Sequence, residues 1–511
     1  MSVQRYHESV VPTSNDPLLV MAALARTFHA EDHIVYENTS GYTFALGRLA
    51  EVTVDRDCVL VRHNGVESRE PWTDSPYPVL DRVLAGLPVA DWRAYGVADF
   101  ELSYVGGDLH GTLGDRPLLR LVVPEAEVSL RAGQAAVRAV DRERLDRILG
   151  LLSGTVPDQV VESMPVAVEQ EGVAEYARAV NRAIRDINEG KLQKVILSRV
   201  VPVPAAVDLV ATYVEGRRNN TPVRSFLIRL AGQEAVGFSP EIVVEVDAQR
   251  QVTAQPLAGT RALHRDAEQN ARVRAELLAD SKEIFEHAIS VKVAHDELAA
   301  VCGARAPLIA EFMAVKERGS VQHLGSEVRA ELPEDKGVWD AFAALFPAVT
   351  VSGVPKDAAY RCIREYESGP RGWYGGAVLA VGQDGSLDAA LVLRTVFRAN
   401  DRTWLCAGAG IVAQSTAARE VQETSEKLRS VALHVVPAVS DDRLDMRRAI
   451  ADHLGVDPGE VGDHEDLMMR GLSSLAVMTL ANSWSSNGSI VRYTDLLERP
   501  TLAYWSSLVK R

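Results

Sequence analysis

The chain has 511 residues, 47% hydrophobic and 24% charged, with a formal net charge of −15. That length predicts two to four domains, or one large domain plus something small, and the composition excludes a largely disordered chain. The acidic balance, with no Lys/Arg run, argues against a nucleic-acid surface, and no apolar run reaches the length of a membrane span.

Cys58, Cys302, Cys362 and Cys406 are scattered, with no CxxC pair. This argues against a disulfide scaffold or a structural zinc site and fits a reducing cytoplasm. The start, MSVQRYHESVVPTSNDPLLV, has neither the apolar core nor the cleavage pattern of a signal peptide. A cytoplasmic protein with a flexible N-terminus over 1–25 is therefore expected.

In chain order, strand character appears first in YTFALGRLAEVTV, CVLVRHNG and PLLRLVVPEAEVSLRAG. AEYARAVNRAIRDINEG then places Tyr176, Val180, Ile184 and Ile187 on one helical stripe, with Gly190 as its stop. KVILSRVVPVP follows as a strand closed by prolines. GGAVLAVGQDGSLDAALVLRTVF predicts a hairpin around Asp384-Gly385, and FRANDRTWLCAGAG a turn at Asn400-Asp401. Strands joined by hairpins, with helices between, predict a large α+β domain over 26–435 with mostly antiparallel sheets. A polar linker over 436–442 (VPAVSDD) leads to residues 443–511, where DDRLDMRRAIADHLGV, SSLAVMTLANSWSS and TLAYWSSLVKR predict a small all-α bundle.

The segment SKEIFEHAIS (281–290) reads as a mostly buried helix, yet Glu283 and Glu286 share one face three residues apart. Burying two like charges is costly unless a cation or a proton is shared. AREVQETSEKL places Glu420, Glu423 and Lys427 on one stripe of a second helix. Two facing helices with a carboxylate pair each would suit Mg²⁺, which keeps waters and accepts anionic groups of a substrate. The alternative is two solvated faces with local Glu–Lys pairs.

Lys194, entering a strand in NEGKLQKVILSR, is a candidate base or an edge lysine. Glu241, after Pro240 in VGFSPEIVVEV, is a candidate acid whose burial would keep its proton, or a turn residue. PLAGTR (256–261) and CAGAGIV (406–412) read as small-residue loops whose backbone N–H groups could bind carboxylates. His323 in VQHLGS is structural or functional. Arg394, in the apolar strand LVLRTVF, wants an anion, either a ligand carboxylate or an internal partner.

KVILSR, GFSPE, PLAGTR, SKEIFEHAISV, RGSVQHLGS, FPAVTVSGVPK, PRGWYGGAV, AGAGIV and EVQETSEKL occur in the order found in chorismate-utilising enzymes. The chain resembles that family over about residues 30–435, and within it the salicylate synthases of siderophore pathways. The resemblance implies two mostly antiparallel sheets packed together with helices outside. It also implies a Mg²⁺ site at Glu286 and Glu423, backed by Glu283 and Glu420. Gly259 and Thr260 would help hold the ring carboxylate of chorismate. Tyr374, Arg394 and the Gly410 amide would clamp the enolpyruvyl carboxylate, with Gly408 and Lys427 also at the substrate. Lys194 would activate water, Glu241 would release the C4 hydroxyl, and His323 and Thr350 would line the region where pyruvate leaves.

The resemblance further implies that Lys194, together with Ala258 in PLAGT, favours water over ammonia as the nucleophile, since the ammonia-adding members lack the first and the aminodeoxychorismate type carries lysine in place of the second. Gln255 departs from the Glu of relatives but is not a transferred catalytic position. Isochorismate synthases share these residues, so a reaction that stops at isochorismate stays open, as does an inactive docking platform. The tail, GLSSLAVMTLANSW, resembles an aryl carrier domain of nonribosomal peptide synthetases. Ser474 stands at the phosphopantetheine-bearing serine and Ser473 where Asp is usual; the other reading is a helix-capping serine pair. A carrier implies a salicyl-AMP ligase, a phosphopantetheinyl transferase and peptide synthetase modules as partners.

Overall fold

A computed structural model describes residues 3–131, 133–158, 161–264, 266–303, 306–319, 321–438, 441–485 and 491–509. The chain divides into two compact units, Met1–Val436 and Pro437–Arg511.

The first half of the large unit runs β1 (His7–Pro12), α1 (Pro17–Thr27), β2 (His33–Asn38), β3 (Gly41–Leu46), β4 (Ala50–Val54), β5 (Cys58–His63), β6 (Val66–Pro71), α2 (Tyr77–Ala85), β7 (Arg93–Ala98), β8 (Leu119–Val123), β9 (Ala126–Arg131), β10 (Gln134–Ala139) and α3 (Arg142–Leu152). After α4 (Val173–Asn188) come β11 (Lys194–Val203), α5 (Leu209–Asn219), β12 (Arg224–Leu230), β13 (Gln233–Ser239), β14 (Ile242–Val246), β15 (Gln251–Ala254), β16 (Leu257–Ala262), α6 (Ala267–Ala279) and α7 (Ser281–Cys302). The second half continues through β17 (Leu308–Arg318), β18 (Val321–Glu331), α8 (Val338–Leu345), β19 (Gly353–Val354), α9 (Lys356–Tyr366), β20 (Ala377–Gly382), β21 (Leu387–Leu391), β22 (Thr395–Ala399), β23 (Arg402–Ile411) and α10 (Ala417–Ala432).

One sheet has the order β1-β10-β9-β3-β2-β12-β13-β22-β23-β11-β19. The other has the order β16-β18-β15-β14-β21-β20-β7-β8-β4-β5-β6, with β17 also on β18. The ladders are antiparallel, as between β11 and β23, β2 and β12, and β7 and β20. Tyr36, Tyr95, Phe226, Ile228 and Phe397 pack between the sheets. Met21, Leu145, Tyr213 and Leu428 pack α1, α3, α5 and α10 on the first sheet. The expected helix-covered pair of antiparallel sheets is therefore what the chain forms.

The two halves repeat one topology. Strands β2-β3-β9-β10-β1 mirror β12-β13-β22-β23-β11, and the pairs that meet at the centre, β2 with β12 and β7 with β20, are equivalents. The second half adds β16, α6, α7 and β17 between β15 and β18. That insertion carries the Glu283–Glu286 helix.

Local expectations hold at several points. Asn400 (φ 47°) and Asp401 (φ 60°) both take the left-handed conformation that a two-residue hairpin turn needs. Asp384-Gly385 links β20 to β21, and α4 buries Tyr176, Val180 and Ile187 and stops before Gly190.

Two expectations are corrected. The start expected to be flexible over 1–25 holds regular structure from His7: β1 pairs with β10 from His7 to Pro12, and Asp16 caps α1 by accepting from Leu18 N. The β1 side chains are mostly exposed because it is an edge strand, which is why it reads as an unstructured terminus. YTFALGRLAEVTV and PLLRLVVPEAEVSLRAG are each two strands that pass from one sheet to the other, at Gly47–Leu49 and Pro124-Glu125.

In the small unit, α11 (Asp441–Leu454), α12 (Ser474–Trp484), α13 (Tyr493–Glu498) and α14 (Leu502–Val509) surround Ile450, Val477, Leu480, Leu496 and Trp505. The short α13 is an addition to the three expected helices. Within the expected linker, residues 441 and 442 already belong to α11, whereas 439 and 440 lie outside the described residues.

Candidate active site

Two of the chain's crossings between the sheets in the second half join strand directly to strand, at Pro240-Glu241 and at residues 392–394. A crossing interrupts the ladder, so its side chains are not bound to the alternation of a strand. Glu241, 3% exposed, accepts a hydrogen bond from Thr350 Oγ1 (2.7 Å). Burial pushes its carboxyl up to about 8, against the Thr350 bond and the positive charges of Lys194 and Lys427. It therefore keeps its proton at neutral pH. Thr350 thus serves Glu241 directly.

Arg394 lies in the second crossing with φ 50°, not inside a strand as expected. It is buried and has no carboxylate partner among the described residues. Its NH1 donates to Arg318 O (2.9 Å) and its NH2 to His323 Nε2. Burial, helped by Arg318, lowers it to about 9. An uncompensated buried guanidinium is costly, and an anionic ligand removes the cost. His323 accepts from Arg394 through Nε2, so its Nδ1 carries the proton and donates to Gly259 O (3.2 Å), near Thr260 Oγ1 (3.0 Å). Burial, then Arg394 and Lys427, holds this imidazole neutral.

PLAGTR is not a loop but strand β16, with a bulge between Ala258 and Thr260. Gly259 occupies the bulge at φ 78°, and a Cβ there would sit 3.3 Å from Glu283. CAGAGIV likewise falls mostly in β23. Opposite Gly408 and Gly410, the amides of Ser198 and Ile196 donate elsewhere, to Glu367 Oε1 and Ser352 O. Both glycines therefore occupy non-hydrogen-bonded pairs, and their own N–H groups face away from β11. Gly408 approaches the Tyr374 hydroxyl, and its carbonyl accepts from Lys427 Nζ (3.0 Å). A Cβ on Gly410 would stand 2.0 Å from Glu286 Oε1.

Helices α7 and α10 bring all four glutamates to buried positions. The α7 start is fixed by Asp280, which accepts from Lys282 N and Glu283 N. Glu283 accepts from Arg261 (3.0 Å) and Arg419 (3.3 Å). Glu286 pairs with Lys194 (3.1 Å), and Glu423 with Lys427 (2.8 Å). Lys282 reaches Glu420 (3.0 Å) and Glu423 (3.9 Å). Solvated helix faces are thereby ruled out.

Among the described residues no group of three or more Asp, Glu, His or Cys is placed to hold a metal. Mg²⁺ needs only one or two carboxylates plus substrate oxygens, and two features fit it. Glu420 Oε2 is buried without a partner. Burial, then the Glu423 charge, also pushes Glu420 up, so a cation reaching this carboxylate would relieve a real cost. At Glu423 burial acts upward, but Lys427 and Lys282 outweigh it and hold the carboxyl low.

Lys194, fully buried, lies behind Glu286 and also donates to Ser290 Oγ (3.0 Å). Glu241, Thr260, Glu286, His323, Thr350, Tyr374, Arg394 and the two glycines line one cavity of about 60 Å³. A larger cleft of about 1120 Å³ lies beyond Tyr374 and Cys406, which line both. Glu286 and Glu423 line the smaller cavity and not the cleft, which makes the smaller cavity the candidate site.

The sequence profile of the chorismate binding enzyme family matches residues 34–433. The chain belongs to this family. Within it, salicylate synthase of Mycolicibacterium paratuberculosis is 39% identical over 431 residues, 83% of this chain and 95% of that protein. Anthranilate synthase component 1 of Streptomyces coelicolor is 38% identical over 259 residues, 50% of each chain. Among solved structures, the menaquinone-specific isochorismate synthase of Escherichia coli has a TM-score of 0.64 at 20% identity, covering 84% of this chain and 95% of that one. Anthranilate synthase component I of Streptococcus pneumoniae has a TM-score of 0.63 at 23% identity, covering 76% and 91%. These two show the shared fold. The protein is thus a chorismate-utilising enzyme and a homologue of salicylate synthase, and the family match ends before the small unit.

Sequence reasoning missed Lys282, Arg261, Arg419 and Ser290. All four stand inside the motifs given above, and the signal of Lys282, Arg261 and Arg419 was a cation beside a carboxylate pair that had to be buried. In the small unit, Ser473 caps α12 by accepting from Ala476 N (3.2 Å), and Ser474 follows as its exposed first residue. Among the described residues no helix is long and apolar enough to cross a membrane.

Proposed function

We propose that this enzyme converts chorismate to isochorismate by adding water, and isochorismate to salicylate and pyruvate. The observation that carries the reading is a carboxyl, Glu241, that keeps its proton at neutral pH in the wall of one cavity, with the fully buried Lys194 held just behind that wall by Glu286. Such a pair divides base and acid roles between two residues. The similarity to salicylate synthase supports the second step.

Arg394, Tyr374 and the Gly410 amide hold the enolpyruvyl carboxylate, which supplies the anion that Arg394 lacks. Thr260 and the Gly259 bulge hold the ring carboxylate. Mg²⁺, held by Glu286 and Glu423 with Glu283 and Glu420 behind them, would neutralise that carboxylate when bound. Lys427 anchors the same end through Glu423 and Gly408. Lys194 takes a proton from the water that attacks C2, and Glu241 gives one to the departing C4 hydroxyl. His323 and the surrounding wall then hold the side chain over the ring. The C2 hydrogen moves to the enolpyruvyl methylene, the C3–O bond breaks and the ring becomes aromatic; this step needs positioning more than acid–base work.

The small unit is proposed to be an aryl carrier, with phosphopantetheine on Ser474 holding salicylate as a thioester for siderophore-type peptide assembly. Its exposed serine at a helix start supports this. A phosphopantetheinyl transferase and a salicyl-AMP ligase would be separate proteins, and peptide synthetase modules would take the aryl group.

Chromatography of the products from chorismate and Mg²⁺ tests the proposal. Salicylate with equimolar pyruvate, lost with EDTA, is expected. Isochorismate alone would remove the second step, and no turnover would remove both.

A further inference from the structure

Ser290 has no place in the roles above, yet it sits at the centre of the base. It is fully buried in α7, one turn after Glu286. Its hydroxyl donates to Glu286 O (2.9 Å), so its single proton is committed. Its oxygen then receives Lys194 Nζ (3.0 Å), while Glu286 Oε1 lies 3.1 Å from the same nitrogen. In an apolar helix interior a serine is a poorer helix former than alanine, so packing alone does not call for a hydroxyl here.

We infer that Ser290 is a positioning residue that fixes the amine of Lys194 against Glu286, in the wall of the cavity, for its part in water addition. The inference rests on the proposed water addition. Glu286 and Ser290, on one face of α7, hold the amine of Lys194 from two sides, at 3.1 and 3.0 Å. Ser290 can only accept from Lys194, because its proton is already given to the Glu286 carbonyl. Rotation of the amine about its last bond is thereby stopped. In the step itself the water proton passes to Lys194 and the water oxygen bonds C2. The ring double bond shifts, and the C4–O bond breaks as Glu241 protonates the departing hydroxyl. Elimination of pyruvate uses no base, so Ser290 does not act on it.

The test compares two substrates on the full-length enzyme with Mg²⁺. Ser290→Ala is expected to lower kcat from chorismate about 10- to 100-fold with KM little changed, the scale on which misorientation of a reacting group acts. Salicylate formation from supplied isochorismate should stay within about threefold, below the effect of even one strong positioning contact. Ser290→Thr, which restores the hydroxyl, should recover most of the chorismate rate. Adding Ser290→Ala to Lys194→Ala should cost nothing further, because one residue acts through the other. Wild-type chorismate turnover by Ser290→Ala would overturn the inference. So would an equal loss on both substrates, which marks mere structural support. If the unaltered enzyme makes salicylate from isochorismate but consumes no chorismate, the water-addition reading itself fails, whatever Ser290 does.

Discussion

The two halves of the large unit share a strand order and differ in what their equivalent helices bury. Aligned on their N-caps, Asp141 of α3 and Thr416 of α10, the inward positions of α3 are Leu145, Ile148 and Leu152. The same positions of α10 are Glu420, Glu423 and Lys427. The first set is an ordinary apolar stripe, each member worth about 1.5–3 kcal/mol when fully buried. The second buries charge, which stabilises nothing by itself and is tolerated only with partners. The second half supplies those partners from its own insertion: Lys282 and Arg261, with α7 as the facing helix. One half is scaffold; its twin exchanges these three apolar positions for charge beside the candidate cavity.

The largest effects should fall on the charged half alone. Lys194→Ala and Glu241→Gln are each expected to lower chorismate turnover by about 10²–10⁴. Leu145→Ala, in the first half, should instead cost about 2–5 kcal/mol of stability by denaturant unfolding while the folded fraction keeps its kcat. An activity loss without unfolding in Leu145→Ala would break the comparison.

Gly410→Ala comes next. Its methyl would meet the Glu286 carboxylate at 2.0 Å, so turnover should fall about 10²-fold, with a higher Mg²⁺ requirement in activity titrations.

The pH dependence is a smaller, signed effect. Burial raises Glu241 from 4.5 to about 8, so the folded state holds a proton that the unfolded chain releases. Stability tied to this group is complete below about pH 4.5 and is lost as pH rises towards 8. Unfolding of Glu241→Gln should lack that decline. Turnover by the unaltered enzyme should fall as pH passes about 8, where the acid loses its proton. Flat profiles for both would contradict the assignment of Glu241 as the acid.

Glu420→Gln should be the mildest change within the site. In EDTA it should be neutral or stabilising by about 1 kcal/mol, because a crowded buried charge is removed. Added Mg²⁺ should raise the melting temperature of the unaltered protein more than that of this variant. In the small unit, Ser474→Ala should leave salicylate formation unchanged. It should also abolish the mass gain expected on treatment with coenzyme A and a phosphopantetheinyl transferase.

Hairpins and the main helices were legible because their signals are local: Asn400-Asp401, Asp384-Gly385, and the stripe from Tyr176 to Ile187. The motifs carried the site residues as well. Sheet membership was not legible. Nothing within Gly47–Leu49 or Pro240-Glu241 marks a change of sheet, since that depends on strands far away in sequence. The loop reading of PLAGTR and CAGAGIV failed for a related reason. Small residues there leave room for Glu283, Glu286 and Tyr374 to approach a strand rather than make a turn. Lys282 escaped notice because a lysine beside two glutamates ordinarily reads as a solvated pair, and only the burial of α7 against α10 gives it a role.

The most direct test of the central claim is the origin of the salicylate hydroxyl. Chorismate and Mg²⁺ would be supplied to the enzyme in water enriched in the heavy oxygen isotope, and the product weighed by mass spectrometry. Heavy oxygen in the phenolic hydroxyl, with an equal amount of pyruvate, is the predicted result. Salicylate without the label would contradict water addition at Lys194, and with it the role assigned to the charged half.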